Sequence, residues 1–227
     1  MSAHGRPATL IVFDVNETLS DLRPLADAFV EVGAPSHLAD HWFSSVLRDG
    51  FALSIAGQCP NFADLGRAVL TGLLAGQPLV TDRDTAVEQV MAAFADLSVH
   101  PDVADGIRAL HEAELRVCTL SNGGTAFADV ILTKAGVRDL VDPLLSVQDA
   151  GAWKPLPRAY RYAAEATAVP AAELMLVAVH PWDCDGAMRA GLRAAWIDRT
   201  GAPYPPMFST PNLKASSITD LAAQLSR

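Results

Sequence analysis

Five polar side chains stand at, or just beyond, the ends of apolar runs: Asp14, Ser121, Asn122, Lys154 and Asp183. Asp14 closes the run Thr9–Phe13, so its carboxylate is partly desolvated and needs a cation beside it. Lys154 can supply that charge, keeping Asp14 ionised and aimed. A carboxylate held this way can act as a covalent nucleophile, splitting one difficult displacement into two easier steps. Taken singly, each residue has a plainer role. Asp14 could cap a following helix, and Ser121 and Asn122 are common where strands end in turns. In an open parallel sheet, however, ligands bind beyond the carboxyl ends of the strands, and such a sheet would bring these distant residues to one edge.

The elements that would position them follow from the pattern of the chain. Thr9–Phe13 is a continuous apolar, β-rich run, which suits a strand buried on both faces. Similar runs recur at Leu115–Leu120, Leu144–Val147, Leu174–Val179 and Ala194–Ile197. Helical stretches lie between them: Asp102–Ala113, Ala126–Ala135, Pro157–Ala168 and Asp185–Ala190, with Gly136 and Gly191 placed as C-terminal stops. This alternation predicts a parallel sheet with helices on both faces. From about Leu22 to Leu97 the rhythm changes. Leu38, Trp42 and Val46, then Leu65, Val69 and Leu73, then Val87, Val90, Met91 and Phe94 repeat at helical spacing, with no strand pattern. An α/β core is therefore expected from 1–20 and 98–227, interrupted after its first strand by an all-helical cap at 21–97. A loop around Pro203–Pro206 and a short terminal helix near Thr219–Leu225 complete it.

The composition narrows the function. Half of the 227 residues are apolar and 19% are charged, so the chain can build a main core and a smaller insert. A net charge of −9 argues against nucleic acid and anionic membranes as partners, yet leaves room for a small anionic substrate in a locally positive pocket. Cys59, Cys118 and Cys184 form neither a disulfide framework nor a zinc pattern, and the latter two read as buried free thiols. With no signal-peptide pattern and no run of membrane-spanning length, a cytoplasmic location is expected.

Phe13-Asp14-Val15-Asn16-Glu17-Thr18-Leu19 resembles the first motif of the haloacid dehalogenase superfamily. Thr119-Leu120-Ser121-Asn122-Gly123 is similar to the second, Lys154-Pro155 to the third, and Val179-His180-Pro181-Trp182-Asp183 to the fourth, all in order. The resemblance implies a Rossmann-like core and, in its details, the type II 2-haloacid dehalogenases. Magnesium phosphatases of the superfamily carry a second aspartate where this chain has Asn16, and an acid after the motif-four strand where it has Ala178, Val179 and His180. That set is poor in the oxygen ligands Mg²⁺ wants, so metal-free, cofactor-free chemistry is expected.

By the same resemblance Asp14 would attack C2 of a 2-haloacid and expel halide. Water would then open the Asp14 ester to release a 2-hydroxy acid. Lys154 would balance the charge on Asp14, Thr18 would brace the nucleophile loop, and Asp183 would order Lys154 and activate the water. Ser121 would hold the substrate carboxylate, Asn122 would donate to the departing halide, and Tyr160, Trp182, His180 and Phe43 would border the substrate. Two positions depart from the family pattern. Phe43 stands where an arginine usually receives the halide, and Arg48, five residues on, is about 140° away around a helix. His180 stands where an asparagine is usual, and unlike asparagine it can carry a proton. The alternatives are a magnesium-dependent phosphatase, a ring-opening hydrolase on a small cyclic acid, or a silent fold used for binding. The family resemblance also implies a homodimer.

Overall fold

The computed structural model describes residues 8–226. Among them six strands form one sheet: β1 (Leu10–Phe13), β2 (Arg116–Ser121), β3 (Leu144–Ser146), β4 (Leu174–Ala178), β5 (Arg193–Ile197) and β6 (Leu213–Ala215). The order is β3-β2-β1-β4-β5-β6, and every neighbouring pair is parallel. β1 sits between β2 and β4, with Phe13 in register with Thr119 and Val177, so its four side chains are shielded on both faces. That is why Leu-Ile-Val-Phe reads as an unbroken apolar run rather than an alternating one.

The helices are α1 (Leu25–Glu31), α2 (Leu38–Ile55), α3 (Phe62–Leu73), α4 (Arg83–Ala95), α5 (Val103–Glu112), α6 (Thr125–Lys134), α7 (Val147–Ala150), α8 (Pro157–Thr167), α9 (Pro181–Arg189) and α10 (Ile218–Leu225). Period-two alternation in β1 divides two cores. Ile11 and Phe13 pack with Ile107 of α5, Ile131 of α6 and Leu221 of α10. Leu10 and Val12 share the opposite core with α8 and α9, which runs on into α1–α4 through Trp42, Phe62 and Phe94. Helices therefore cover both faces, as the alternation predicts.

The helical segment between β1 and α5 is pinched at its base. Ser20 and Val99 form an antiparallel bridge, and Asp21 N donates to Ser98 O at 2.9 Å. No other strand pairing occurs in this stretch among the described residues. Asn61 caps the start of α3, its side-chain oxygen accepting from Ala63 N at 2.8 Å. Gly136 and Gly191 do follow helices and take positive φ, +66° and +93°.

Three expectations need correction. Val147 does not extend β3: Ser146 Oγ accepts from Gln148 N and turns the chain into α7. α9 begins at Pro181 rather than Asp185, because proline is favoured in a first helical turn, where its missing N–H costs nothing. This places Asp183 on a helix. β6 is a sixth strand beyond the five expected. Among the described residues no helix is long and apolar enough to cross a membrane, and all three cysteines are free, with Cys118 and Cys184 buried.

Candidate active site

Asp14 leaves β1 with its N–H bonded to Val177 O at 3.0 Å, which fixes the backbone at the carboxyl edge of the two central strands. Its carboxylate is enclosed by donors rather than capping a helix. Lys154 Nζ donates to Oδ1 at 2.7 Å, Thr18 Oγ1 donates to Oδ2 at 2.7 Å, and His180 Nδ1 lies 3.2 Å from Oδ2. Thr18 is itself fixed, its oxygen accepting from Val179 N at 3.1 Å. Burial pushes the Asp14 carboxyl up, but the Lys154 charge and the His180 contact outweigh it and hold the pKa well below the usual carboxylate range.

Lys154 is fully buried, and the same ammonium donates to Asp183 Oδ2 at 2.7 Å. A buried ammonium is strongly disfavoured unless paired; here two carboxylates overcome the burial and raise its pKa. Asp183 shares that cation, so it keeps less of the benefit. Burial raises its pKa, Lys154 draws it down, and the Asp14 charge raises it again, leaving it above the ordinary value. The two acids are thus pushed apart: Asp14 is firmly ionised and Asp183 is the better proton acceptor.

The loop carrying Lys154 is fastened from both sides. Asn122 Oδ1 accepts from Lys154 N at 2.9 Å and its Nδ2 donates to Lys154 O at 3.3 Å. On the other side Trp153 N donates to Ser54 Oγ and Trp153 Nε1 to Pro60 O, each at 2.9 Å, and the indole stacks on Phe62. The indole lies so close to α2 that a Cβ at Gly50 would sit 2.2 Å from it. Ser121 Oγ accepts from Gly123 N at 2.9 Å, leaving its O–H to donate to a ligand.

Tyr160, expected against the substrate, is fully buried on α8. Its hydroxyl donates to Asp183 Oδ1 at 2.6 Å, so it lies behind Asp183. Gly186 makes this possible, since a Cβ there would be 2.6 Å from the hydroxyl. Phe43, Trp182 and His180 come together as an aromatic wall. His180 stacks at 4.9 Å on Trp182 and at 6.4 Å on Phe43, joining α9 to α2. Arg48 points away, 68% exposed and paired with Asp49, so it does not replace the arginine missing at Phe43.

Sequence reasoning missed Glu17. Its Oε2 lies 2.7 Å from His180 Nε2, so the imidazole is held between two carboxylates. Burial disfavours the charged ring, but the bonds to Asp14 and Glu17 and their charges push its pKa up to about 9. Two cavities flank this cluster. One, of about 540 Å³ between α3, α4 and the start of α6, is floored by Asn16, Gly123 and Gly124 and walled by Phe62, Met91 and Phe94. The other, of about 610 Å³ and more polar, is bordered by Glu17 and His180. Asp14 lines neither and is enclosed between them. Asp14 and Asp183 each give an oxygen to Lys154, and among the described residues no three His, Cys, Asp or Glu side chains group around a space for a cation.

The doubly covered parallel sheet places the protein in the α/β class, with a buried, ionised aspartate at the carboxyl edge where ligands of such sheets bind. The family model for haloacid dehalogenase-like hydrolases matches residues 8–191, and the chain belongs to that family of hydrolases. It is 30% identical over 215 residues to (S)-2-haloacid dehalogenase 4A of Burkholderia cepacia, covering 92% of this chain and 91% of that one. It is 28% identical to haloacetate dehalogenase H-2 of Moraxella sp. (strain B), covering 89% and 91%. A solved dehalogenase with an intermediate complex superposes with a TM-score of 0.90 at 27% identity, covering 98% of this chain and 99% of that one.

Proposed function

We propose that the protein hydrolyses the carbon–halogen bond of a small 2-haloacid through an ester on Asp14, without a metal. The single observation that carries this reading is the placement of Lys154 Nζ, 2.7 Å from Asp14 on one side and 2.7 Å from Asp183 on the other. It supplies, from within the chain, the charge that keeps the nucleophile ionised and close to its partner acid, and Asn16 replaces the acid a metal-assisted phosphatase would use there. The names of the relatives point to the same substrate class.

On this reading Ser121 O–H and neighbouring N–H groups hold the substrate carboxylate. The second N–H of the Asn122 amide donates to the departing halide. Phe43 and Trp182 wall the site, and α1–α4 act as a cap over it, within 21–97. Asp183 takes a proton from the hydrolytic water, and Tyr160 positions Asp183 rather than touching substrate. The substrate is a small anionic acid, and three free thiols fit a reducing, cytoplasmic setting. The family resemblance also carries a homodimer, which a single 24.0 kDa species in sedimentation velocity would rule out.

The test is halide release from short 2-haloacids, both enantiomers and several halogens, with and without EDTA. We expect turnover indifferent to EDTA, lost in Asp14→Asn with the fold retained. Single turnover in H₂¹⁸O should place the label in Asp14 first. A strict Mg²⁺ requirement with turnover of p-nitrophenyl phosphate would overturn the reading.

A further inference from the structure

We propose that Glu17 and His180 form a charged dyad that makes Oδ2 of Asp14 the oxyanion of ester hydrolysis and leaves Oδ1 to form the ester. This rests on the dehalogenase reading above and assigns the two carboxylate oxygens separate tasks.

A carboxylate oxygen has two lone-pair sites. Both sites of Oδ2 face donors, Thr18 Oγ1 at 2.7 Å and His180 Nδ1 at 3.2 Å, whereas Oδ1 has one partner, Lys154 Nζ at 2.7 Å. The open lone pair is therefore on Oδ1. In the first step that pair forms the Oδ1–C2 bond, and the C2–halogen pair leaves as halide. In the second, water adds to Cγ, the C=O pair moves onto Oδ2, and the water proton goes to Asp183. Collapse re-forms the C=O bond and breaks Cγ–Oδ1, and the product hydroxyl takes the proton back from Asp183. The carboxyl left on Asp14 loses its remaining proton to solvent. Negative charge thus develops on the one oxygen that already faces two fixed donors, which need no reorganisation as it forms.

His180 touches the reacting carboxyl and is a catalytic residue on this assignment; Glu17 acts through it and is a positioning residue. Because the Oδ2 lone pairs are acceptors, Nδ1 must carry a proton; Glu17 Oε2, 2.7 Å from Nε2, claims a second, so the ring is a cation. Its raised pKa agrees. Phe43 and Trp182 stack against it and add no charge. The cavity beyond carries Asp21, Arg23, Asp40, His100, Asp198 and Arg199. Glu17 reaches His180 from a left-handed backbone at φ +62°, unusual for a residue with a side chain, and His100 Nε2 fixes that turn by donating to Glu17 O at 3.0 Å.

The experiment follows a saturating 2-haloacid with His180→Asn and Glu17→Gln, reading the halide burst and, by intact mass, the ester on Asp14. Glu17 is 41% exposed, so Glu17→Gln keeps the assignment testable if His180→Asn fails to fold. His180→Asn keeps a donor but loses its charge, so the halide burst should persist while ester hydrolysis slows by about 10-fold, the difference between a charged and a neutral donor, and ester accumulates. Glu17→Gln should move the alkaline limb of kcat down from about pH 9 toward the ordinary imidazole value of 6.5. Equal slowing of both steps, unchanged hydrolysis, or an unmoved alkaline limb in a wild type that does turn over would overturn the dyad alone. A wild type that forms no ester and releases no halide would overturn the dehalogenase reading and the dyad with it.

Discussion

The Tyr160 hydroxyl donates to Oδ1 of Asp183 at 2.6 Å, with both side chains buried. Because that bond lowers the Asp183 pKa, Tyr160→Phe should raise it further and move the acid limb of kcat to higher pH. KM should stay near the wild-type value, and stability should fall by about 1–3 kcal/mol as Asp183 loses a donor. A rise in KM with an unmoved acid limb would return Tyr160 to the substrate.

His180 ties stability to pH. Its folded pKa, about 9, lies above the ordinary 6.5, so its contribution is complete below pH 6.5 and is lost as pH rises through about 9. The loss should be on the order of 3 kcal/mol. Urea unfolding near pH 6 and near pH 10 measures it, and His180→Asn should show a decline smaller by that amount. Equal declines in the two proteins would remove His180 as the source.

Phe43 and His180 should be coupled. Phe43→Arg alone sets a second cation against the imidazole ring stacked on it, so it should not raise the rate of the halide burst. Made together with His180→Asn, the same change should raise that rate about 10–100-fold over His180→Asn alone, the worth of a charge-assisted contact to the leaving group. A double-mutant cycle reads the coupling, and strict additivity would argue against it.

Gly50→Ala should act at a distance. A Cβ there meets the Trp153 ring at 2.2 Å, and such overpacking costs about 1–3 kcal/mol. Since Trp153 precedes Lys154, kcat should fall as well. A variant less stable but equally active would show that the indole's position does not matter to the lysine.

These contacts set out what the chain reveals before it folds. The central strands are legible because burial on both faces demands unbroken apolar runs, and Asp14, Lys154 and Asp183 are legible because they end such runs or carry a motif. β6 is not: Leu213-Lys214-Ala215 is a short edge strand with an exposed lysine in its middle. The helical starts at Val147 and Pro181 did carry signals, a serine cap and a first-turn proline, but adjoining apolar residues made Val147 look like strand. Tyr160 is found by type and spacing, while its partner is set by packing around Gly186. Glu17 has no local mark at all, for its significance lies in a side chain 163 residues away and a backbone angle no residue type announces.

The bonds from Trp153 to Ser54 and Pro60 give the molecule an interlock. The indole that plugs into α2 and the approach to α3 belongs to the chain neighbour of Lys154, whose ammonium pairs with Asp14. Packing of those helices against the sheet and pairing of Lys154 with Asp14 thus share one short stretch of chain, so a change that shifts the plug is felt at the carboxylate.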